Sequence, residues 1–533
     1  MGDFMLRDFQ LPGRSPVHAR RAVAATSHPL ATSAALNVLR EGGNAADAAV
    51  AAVAVQCVVE PHMTGIGGDC FAIVARPDGS IDGLNGSGRA PAGVTPEALI
   101  EAGLTEIGDE SIHAVTVPGA VKAWELLLER HGSWSLARVL APAIDYAQNG
   151  FPVTPRVGSD WAGLVDLIKR DEGAAKHYLV DGKAPEIGSL HRLPALGETL
   201  SAIAESGSSA FYEGPIAQEI AATVQAKGGF LSEEDLAGID VMPVKPVASD
   251  YRGVTMLELP PNGHGVTALV LLNILETFDL GSLDPLGPER FHLEMEAARL
   301  AYSVRDLHVA DPDTMSVSAE ALISKDFAAG LAARIDPARR ISGLPDDVLT
   351  PDSDTVYLTV VDSSGMAVSL INSVYCGFGV GVATPRSGII LQNRGACFQL
   401  KPGHPNCIGP RKRPLHTIIP AMALRAGRPW LSFGVMGGAY QPCGHAHVLA
   451  NIVDFGMDVQ QAIDAPRIFF DGIEGDLMVE HGVSAETREG LGARGHSLKD
   501  ASEAIGGSQA IMMEKGMLIA GSDPRKDGCA LGW

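Results

Sequence analysis

The stretch from Pro351 to Val374 restricts the possible folds of this chain more than any other segment. A polar, turn-prone run, Pro351-Asp352-Ser353-Asp354, ends abruptly at Thr355. From there to Asp362, hydroxyl or aromatic residues alternate with aliphatic ones, the period of a half-buried β-strand. Asp362-Ser363-Ser364-Gly365 then turns the chain into a second strand, Met366 to Val374. Thr355 therefore begins a strand at the edge of a hairpin. Loop length sets its partner: two loop residues place Asn372 opposite Thr355, three place Ser373 there and four place Val374 there. By β-propensity alone, a threonine at a strand start is a solvent-facing structural residue.

With 533 residues, 46% of them hydrophobic, the chain can bury one large core or two ordinary ones. A net charge of −22 excludes a basic face for nucleic acid or an anionic membrane. The compact basic run Arg411-Lys412-Arg413 reads as a solvated loop. Met1 to Asp8 is acidic where an export signal needs a basic and then an apolar region. The apolar run Ala45 to Val59 is interrupted by Asp47 and Gln56 and is too short to span a bilayer. Seven scattered cysteines without a C-x-x-C pair suit reduced thiols, so a cytoplasmic protein is expected.

Further elements follow from spacing and punctuation. Ala31 to Leu39 is a helix stopped at Gly42-Gly43, and Asn44 caps a second, buried helix through Val59. Glu60 to Asp69 is a glycine-rich turn before the strand Cys70 to Ala75. Its glycines follow a helix and precede a strand, the reverse of a dinucleotide fingerprint, so they indicate close backbone packing. From Val117 to about Leu349 the pattern is mainly helical: Ala120 to Arg130, Leu136 to Asn149, Leu200 to Ser206, Ile216 to Lys227, Val266 to Glu276 and Glu289 to His308. Tyr251 to Leu259 is a strand. His292, Glu294 and Glu296 share one helix without the H-E-x-x-H order, so no metal site is expected. Gly377 to Gly381 misses the G-x-G-x-x-G spacing, no P-loop occurs, and no cofactor is expected.

Later, a strand ends in Leu391-Gln392-Asn393-Arg394-Gly395, and Pro414 to Pro420 places His416 and Thr417 before another strand. Pro429 to Val435 is a strand that reaches, through Gly437-Gly438, the helical segment Gly444 to Phe455. Such a junction can turn backbone N–H groups toward a ligand, as an oxyanion hole requires.

Taken in order, Gly42 to Val50, Gly65-Ile66-Gly67-Gly68, Val117-Pro118-Gly119, Asp250-Tyr251-Arg252-Gly253, Asp311-Pro312-Asp313, Thr355 to Asp362 and Gly437-Gly438 resemble the γ-glutamyltransferases of the N-terminal-nucleophile hydrolase superfamily nearly end to end. The resemblance implies an α+β fold, a four-layer αββα sandwich with mostly antiparallel central sheets. It implies a precursor cut between Asp354 and Thr355 into a large subunit, 1–354, and a small one, 355–533, intertwined as a heterodimer. Thr355 would then supply the nucleophilic hydroxyl and, through its new α-amine, the general base. Ser373 matches the hydroxyl that bonds the nucleophile, Gly437 and Gly438 match the oxyanion glycines, and Thr359, His416 and Thr417 match positions lining the site. At the last two the family usually has serines.

Substrate contacts depart further. The family's carboxylate-binding arginine aligns with Ser87 and its ammonium-binding acid with Cys397. Arg89 and Arg394 are the nearby guanidinium candidates, with Arg394 favoured. These features look like the branch of oxamate amidohydrolases and glutaryl-cephalosporin acylases, which implies hydrolysis of an amide in a small carboxylate-bearing or peptide-like molecule. A γ-glutamyltransferase or glutathione hydrolase is the alternative. Asp354 before the cut and Tyr357, where the family more often has His, leave open an unprocessed binding protein. A homo-oligomer is compatible with the sequence.

Overall fold

The computed structural model describes residue 10, residues 13–344 and residues 354–533. The reading of Met1 to Asp8 and the run Pro351 to Ser353 lie outside those residues. Thr355 does begin a hairpin, formed by strands Asp354–Val361 and Ala367–Tyr375. It is not on an edge. Asp354–Val361 pairs on its other side with Val23–Thr26, and Thr355 is 0% exposed.

That hairpin occupies the middle of an antiparallel sheet ordered Cys529–Gly532, Val23–Thr26, Asp354–Val361, Ala367–Tyr375, Asp69–Ala75, Ile81–Gly86, Met242–Val244. A second antiparallel sheet runs Val17–Ala19, Met517–Ser522, Gly507–Glu514, Arg428–Met436, Ala421–Arg425, Val254–Glu258, Val247–Tyr251. The sheets meet where Asp354–Val361 packs against Arg428–Met436 and Gly507–Glu514. Each sheet takes strands from both sides of Asp354, so the fold is one intertwined unit.

Helices cover both outer faces. Ala45–Val59 is buried along its whole length, as expected of a helix apolar on every side, and lies against the hairpin strands beneath Pro29–Arg40 and Leu136–Asn149. Its start is fixed by a capping box between Asn44 and Asp47, a device that contributes about 1 kcal/mol. Ala45 N–H also donates to Asp362 Oδ2 at 2.9 Å, which ties the helix start to the hairpin loop. On the other sheet lies Gly265–Leu275, equally buried, with Pro288–His308 and Gln441–Val453 packed on it. The result is an α+β sandwich in four layers, αββα.

The glycine-rich turn acts through contact. A Cβ on Gly67 would meet the Ile390 carbonyl oxygen at 2.0 Å, and one on Gly68 the Ser373 carbonyl oxygen at 2.1 Å. One expected strand is absent. In residues 391–395, Gln392 N–H instead donates to the Gly67 carbonyl and Asn393 N–H to that of Val374, at the end of the hairpin strand, and Arg394–Cys397 is a 3₁₀ turn.

Candidate active site

Hairpin register decides what faces Thr355. Val361 pairs with Ala367 and Val356 with Asn372, and Asp362 N–H donates to the Met366 carbonyl at 3.0 Å. This is the three-residue loop, held by Asp362 Oδ1, which accepts from Ser364 N–H at 2.9 Å and Met366 N–H at 3.1 Å. The same register brings Ser373 opposite Thr355, and a shift follows at once, pairing Asp354 with Tyr375. Thr355 thus sits at a bulge, a device that re-aims a side chain beside a site. Its hydroxyl donates to Ser373 Oγ at 3.2 Å.

Ser373 Oγ also accepts from Tyr375 N–H at 2.8 Å and from Arg394 Nη2 at 3.2 Å. Three donors therefore converge on one hydroxyl oxygen, and a guanidinium stands two hydrogen bonds from Thr355. Arg394 is fully buried, donates to Thr417 Oγ1 at 2.6 Å, and lies 4.5 Å over the Tyr375 ring. Its Nε has no hydrogen-bond partner, and no ion pair joins the guanidinium to a described carboxylate side chain. A buried cation without a counter-charge is costly in an isolated protein and suited to receiving an anion.

Arg89, the other guanidinium candidate, is already committed. It grips Asp240 through two 2.9 Å hydrogen bonds and donates to the Arg411 carbonyl at 2.8 Å, with Asp311 at 3.8 Å. Its charge is neutralised there. Thr359 is likewise drawn away, because its hydroxyl pairs with Ser432 Oγ at 2.7 Å and ties the two sheets. Tyr357, between them on the same face, bonds Ser369 Oγ at 2.7 Å and packs on Gly434.

His416 has a partner that sequence reading did not identify, Asp69, at 2.9 Å from Nε2. The other oxygen of Asp69 accepts from Gly88 N–H, Gly119 N–H and Gln392 Nε2, so one buried carboxylate joins four segments. Burial, and then the Arg394 charge, push His416 down to about 4. It is therefore neutral at pH 7, donating from Nε2 and holding Thr417 in place for Arg394. The only sequence signal for Asp69 was its place at the end of the glycine-rich turn.

Gly437 and Gly438 join Arg428–Met436 to the helix Gln441–Val453 with φ of +122° and +49°. A side chain at Gly437 would also strike Gly506 Cα at 2.8 Å. The Tyr302 hydroxyl fixes the turn by donating to the Ala439 carbonyl. Gly437 then lines a cleft of about 750 Å³ with Cys376, Gly377, Asn393, Met63 and Lys526. Thr355 and Arg394 are not among the residues that line it.

Away from this site, His292, Glu296 and His496 bring ligand-type atoms within 4.8 Å of one another. His292 Nδ1 and His496 Nε2 are already hydrogen-bonded at 2.8 Å. The charges of Arg299, Arg340 and Arg494 bear on His496, a setting that opposes a bound cation.

The gamma-glutamyltranspeptidase family profile matches residues 31–533. A glutathione hydrolase-like YwrD proenzyme of Bacillus subtilis is 38% identical over 522 residues, covering 96% of this chain and 98% of its own. An oxamate amidohydrolase proenzyme of Klebsiella pneumoniae is 36% identical over 526 residues, with 96% and 98% covered. Among solved structures, a cephalosporin acylase from Bacillus halodurans superposes with a TM-score of 0.92 at 39% identity, covering 100% of this chain and 99% of that one.

Proposed function

The chain belongs to the gamma-glutamyltranspeptidase family of N-terminal-nucleophile enzymes, and from that premise we propose that it is a threonine amidohydrolase that cuts itself between Asp354 and Thr355 and then hydrolyses a small amide whose acyl part carries a carboxylate, as oxamate does. The observation that carries this reading is Arg394, a buried guanidinium with no ion pair to a described carboxylate side chain, bonded to the serine that accepts from Thr355.

In maturation, Thr355 Oγ attacks the Asp354 carbonyl carbon, the C–N bond breaks, and the acyl group passes to oxygen as an ester. Water hydrolyses that ester, leaving an Asp354 carboxylate and a free Thr355 α-amine. Such an amine titrates near about 7.7 to 8.0, and a neighbouring guanidinium disfavours its charged form, so it serves as a base at neutral pH. In turnover the amine takes the Oγ proton while Oγ attacks the substrate carbonyl. Gly437 and Gly438 N–H groups receive the developing oxyanion. The amine returns the proton to the leaving nitrogen, and water attacks the remaining ester, assisted by the same amine. Arg394 holds the substrate carboxylate throughout. The seven free cysteines support a cytoplasmic setting.

Glutathione hydrolysis and γ-glutamyl transfer form the second reading, suggested by the names of relatives. Cys397 weighs against it, because a buried thiol bonded to Arg394 at 3.9 Å gives an α-ammonium no counter-charge. Oxamate, a γ-glutamyl anilide and a glutaryl amide offered side by side decide between them. Highest kcat/KM on oxamate or the glutaryl amide is expected, and preference for the γ-glutamyl compound rejects the proposal.

A further inference from the structure

The site holds two opposite charges that do not touch. Arg394 is buried with no carboxylate in contact among the described side chains, and Asp69 is buried with no ion pair to a described lysine or arginine. The Asp69 oxygens are met by donors: Gly88 N–H at 3.1 Å, Gly119 N–H at 2.9 Å and Gln392 Nε2 at 3.0 Å on Oδ1, and His416 Nε2 at 2.9 Å on Oδ2. A protonated acid would need an acceptor of its own. Four donors hold the group as a carboxylate.

His416 keeps the two charges apart. Its ring centroid lies 4.5 Å from that of Phe71, its N–H donates to the Asn262 carbonyl at 2.9 Å, and its own carbonyl accepts from His264 N–H at 2.9 Å. The next residue, Thr417, takes the Arg394 Nη1 hydrogen bond in place of a carboxylate, and the Arg394 charge bears on the His416 ring. Arg89 shows the other arrangement, a guanidinium committed to Asp240 by two 2.9 Å hydrogen bonds. Charges inside a protein act over several ångströms, so Asp69 offsets Arg394 without occupying its donors.

The reaction gives that offset a use. Hydrolysis breaks the C–N bond, adds water across it and turns an acyl group with one carboxylate into a dicarboxylate, while the amine leaves as an ammonium ion. The acyl product therefore carries one more negative charge than it brought, and a bare buried guanidinium would retain it. We infer that Asp69 is the remote counter-charge of Arg394 and sets the charge specificity of the site, so that a single carboxylate is held and the dicarboxylate product is released. This rests on the amidohydrolase reading above. Asp69 acts through His416 and the field it adds, not on the reacting atoms.

The test is calorimetric titration of the purified protein with glutarate and with valerate, which has the same chain length and one carboxylate fewer. The wild-type protein is expected to bind glutarate no more tightly than valerate. Asp69→Asn keeps the shape and removes the charge, and should tighten glutarate relative to valerate by about tenfold, the scale of one charge–charge interaction at an intermediate dielectric. Asp69→Glu keeps the charge and should leave the ratio of affinities at its wild-type value. In turnover of a glutaryl amide, Asp69→Asn should lower Ki for glutarate more than KM. A merely structural Asp69 predicts weaker binding of both ligands with the ratio unchanged, and that result overturns the inference. Because the ratio is taken within one preparation, partial misfolding does not alter it. If Asp69→Asn does not fold, the wild-type titration still decides: tighter binding of glutarate than of valerate, or binding of neither, overturns the inference. If no amide is cleaved, the amidohydrolase reading fails while the titrations, which need no turnover, still decide the role of Asp69.

Discussion

Thr355→Ala removes the hydroxyl that donates to Ser373 Oγ from the start of the hairpin, so the expected product is a single uncut, inactive chain. Ser373→Ala withdraws the common acceptor of Thr355, Tyr375 N–H and Arg394, and a fall in kcat of roughly 10- to 100-fold is expected in single-turnover assays. For the guanidiniums, Arg394→Ala should raise KM by roughly 10- to 100-fold. Arg89→Ala should leave KM within about twofold and cost about 1 kcal/mol of stability or less through Asp240, since that pair is partly solvated. Equal KM effects would remove Arg394 as the anchor. The pH dependence of kcat/KM should rise through a single group just below about 7.7, as a base beside a cation requires. Thr355 was legible as the start of a hairpin strand, but loop length left Asn372, Ser373 and Val374 open as its partner, and only the resemblance pointed to Ser373. Asp69 was not, because a contact across 347 residues leaves no local pattern.

The hairpin works because neighbouring segments fit against it without side chains. Gly68→Ala drives a Cβ into the Ser373 carbonyl at 2.1 Å, where backbone cannot yield, so a loss of about 1–3 kcal/mol and slowed self-cleavage are expected. Gly330→Ala is the contrast. It lies inside the helix Lys325–Ala332 with nothing within 4 Å of its Cβ and no left-handed φ, and a gain of about 0.5–1 kcal/mol in denaturant unfolding is expected. Unfolding midpoints moving in the same direction would contradict one of the two. Close packing at Gly67 and Gly68 was legible because glycines between a helix and a strand exclude a dinucleotide loop. The failed strand at 391–395 was not, because apolar composition cannot tell amides paired in a ladder from amides spent on the carbonyls of Gly67 and Val374. The ion pair of Arg89 was hidden for a similar reason: a guanidinium among small residues looks free until Asp240 folds onto it.

Burial of histidine makes the whole fold acid-sensitive. His28, His191, His416 and His447 are pushed down to about 4, and His445 and His496 to about 3, mainly by loss of water. The unfolded chain takes up protons near 6.5 while the folded one does not, so stability is fully present above about 6.5 and is lost as pH falls toward 4. The denaturant midpoint should therefore drop clearly between pH 7 and 5, and a flat profile would contradict neutral buried imidazoles. The αββα layering was legible only through resemblance, since helical and strand periods do not say which strands become neighbours. Both sheets draw strands from each side of Asp354, so two cleavage fragments should co-elute until denatured. Everything proposed for catalysis depends on one new amino terminus. Intact-mass spectrometry and amino-terminal sequencing of freshly purified, active protein should give two polypeptides, the smaller beginning at Thr355. An active single chain of 533 residues, or a cut at any other bond, would contradict it.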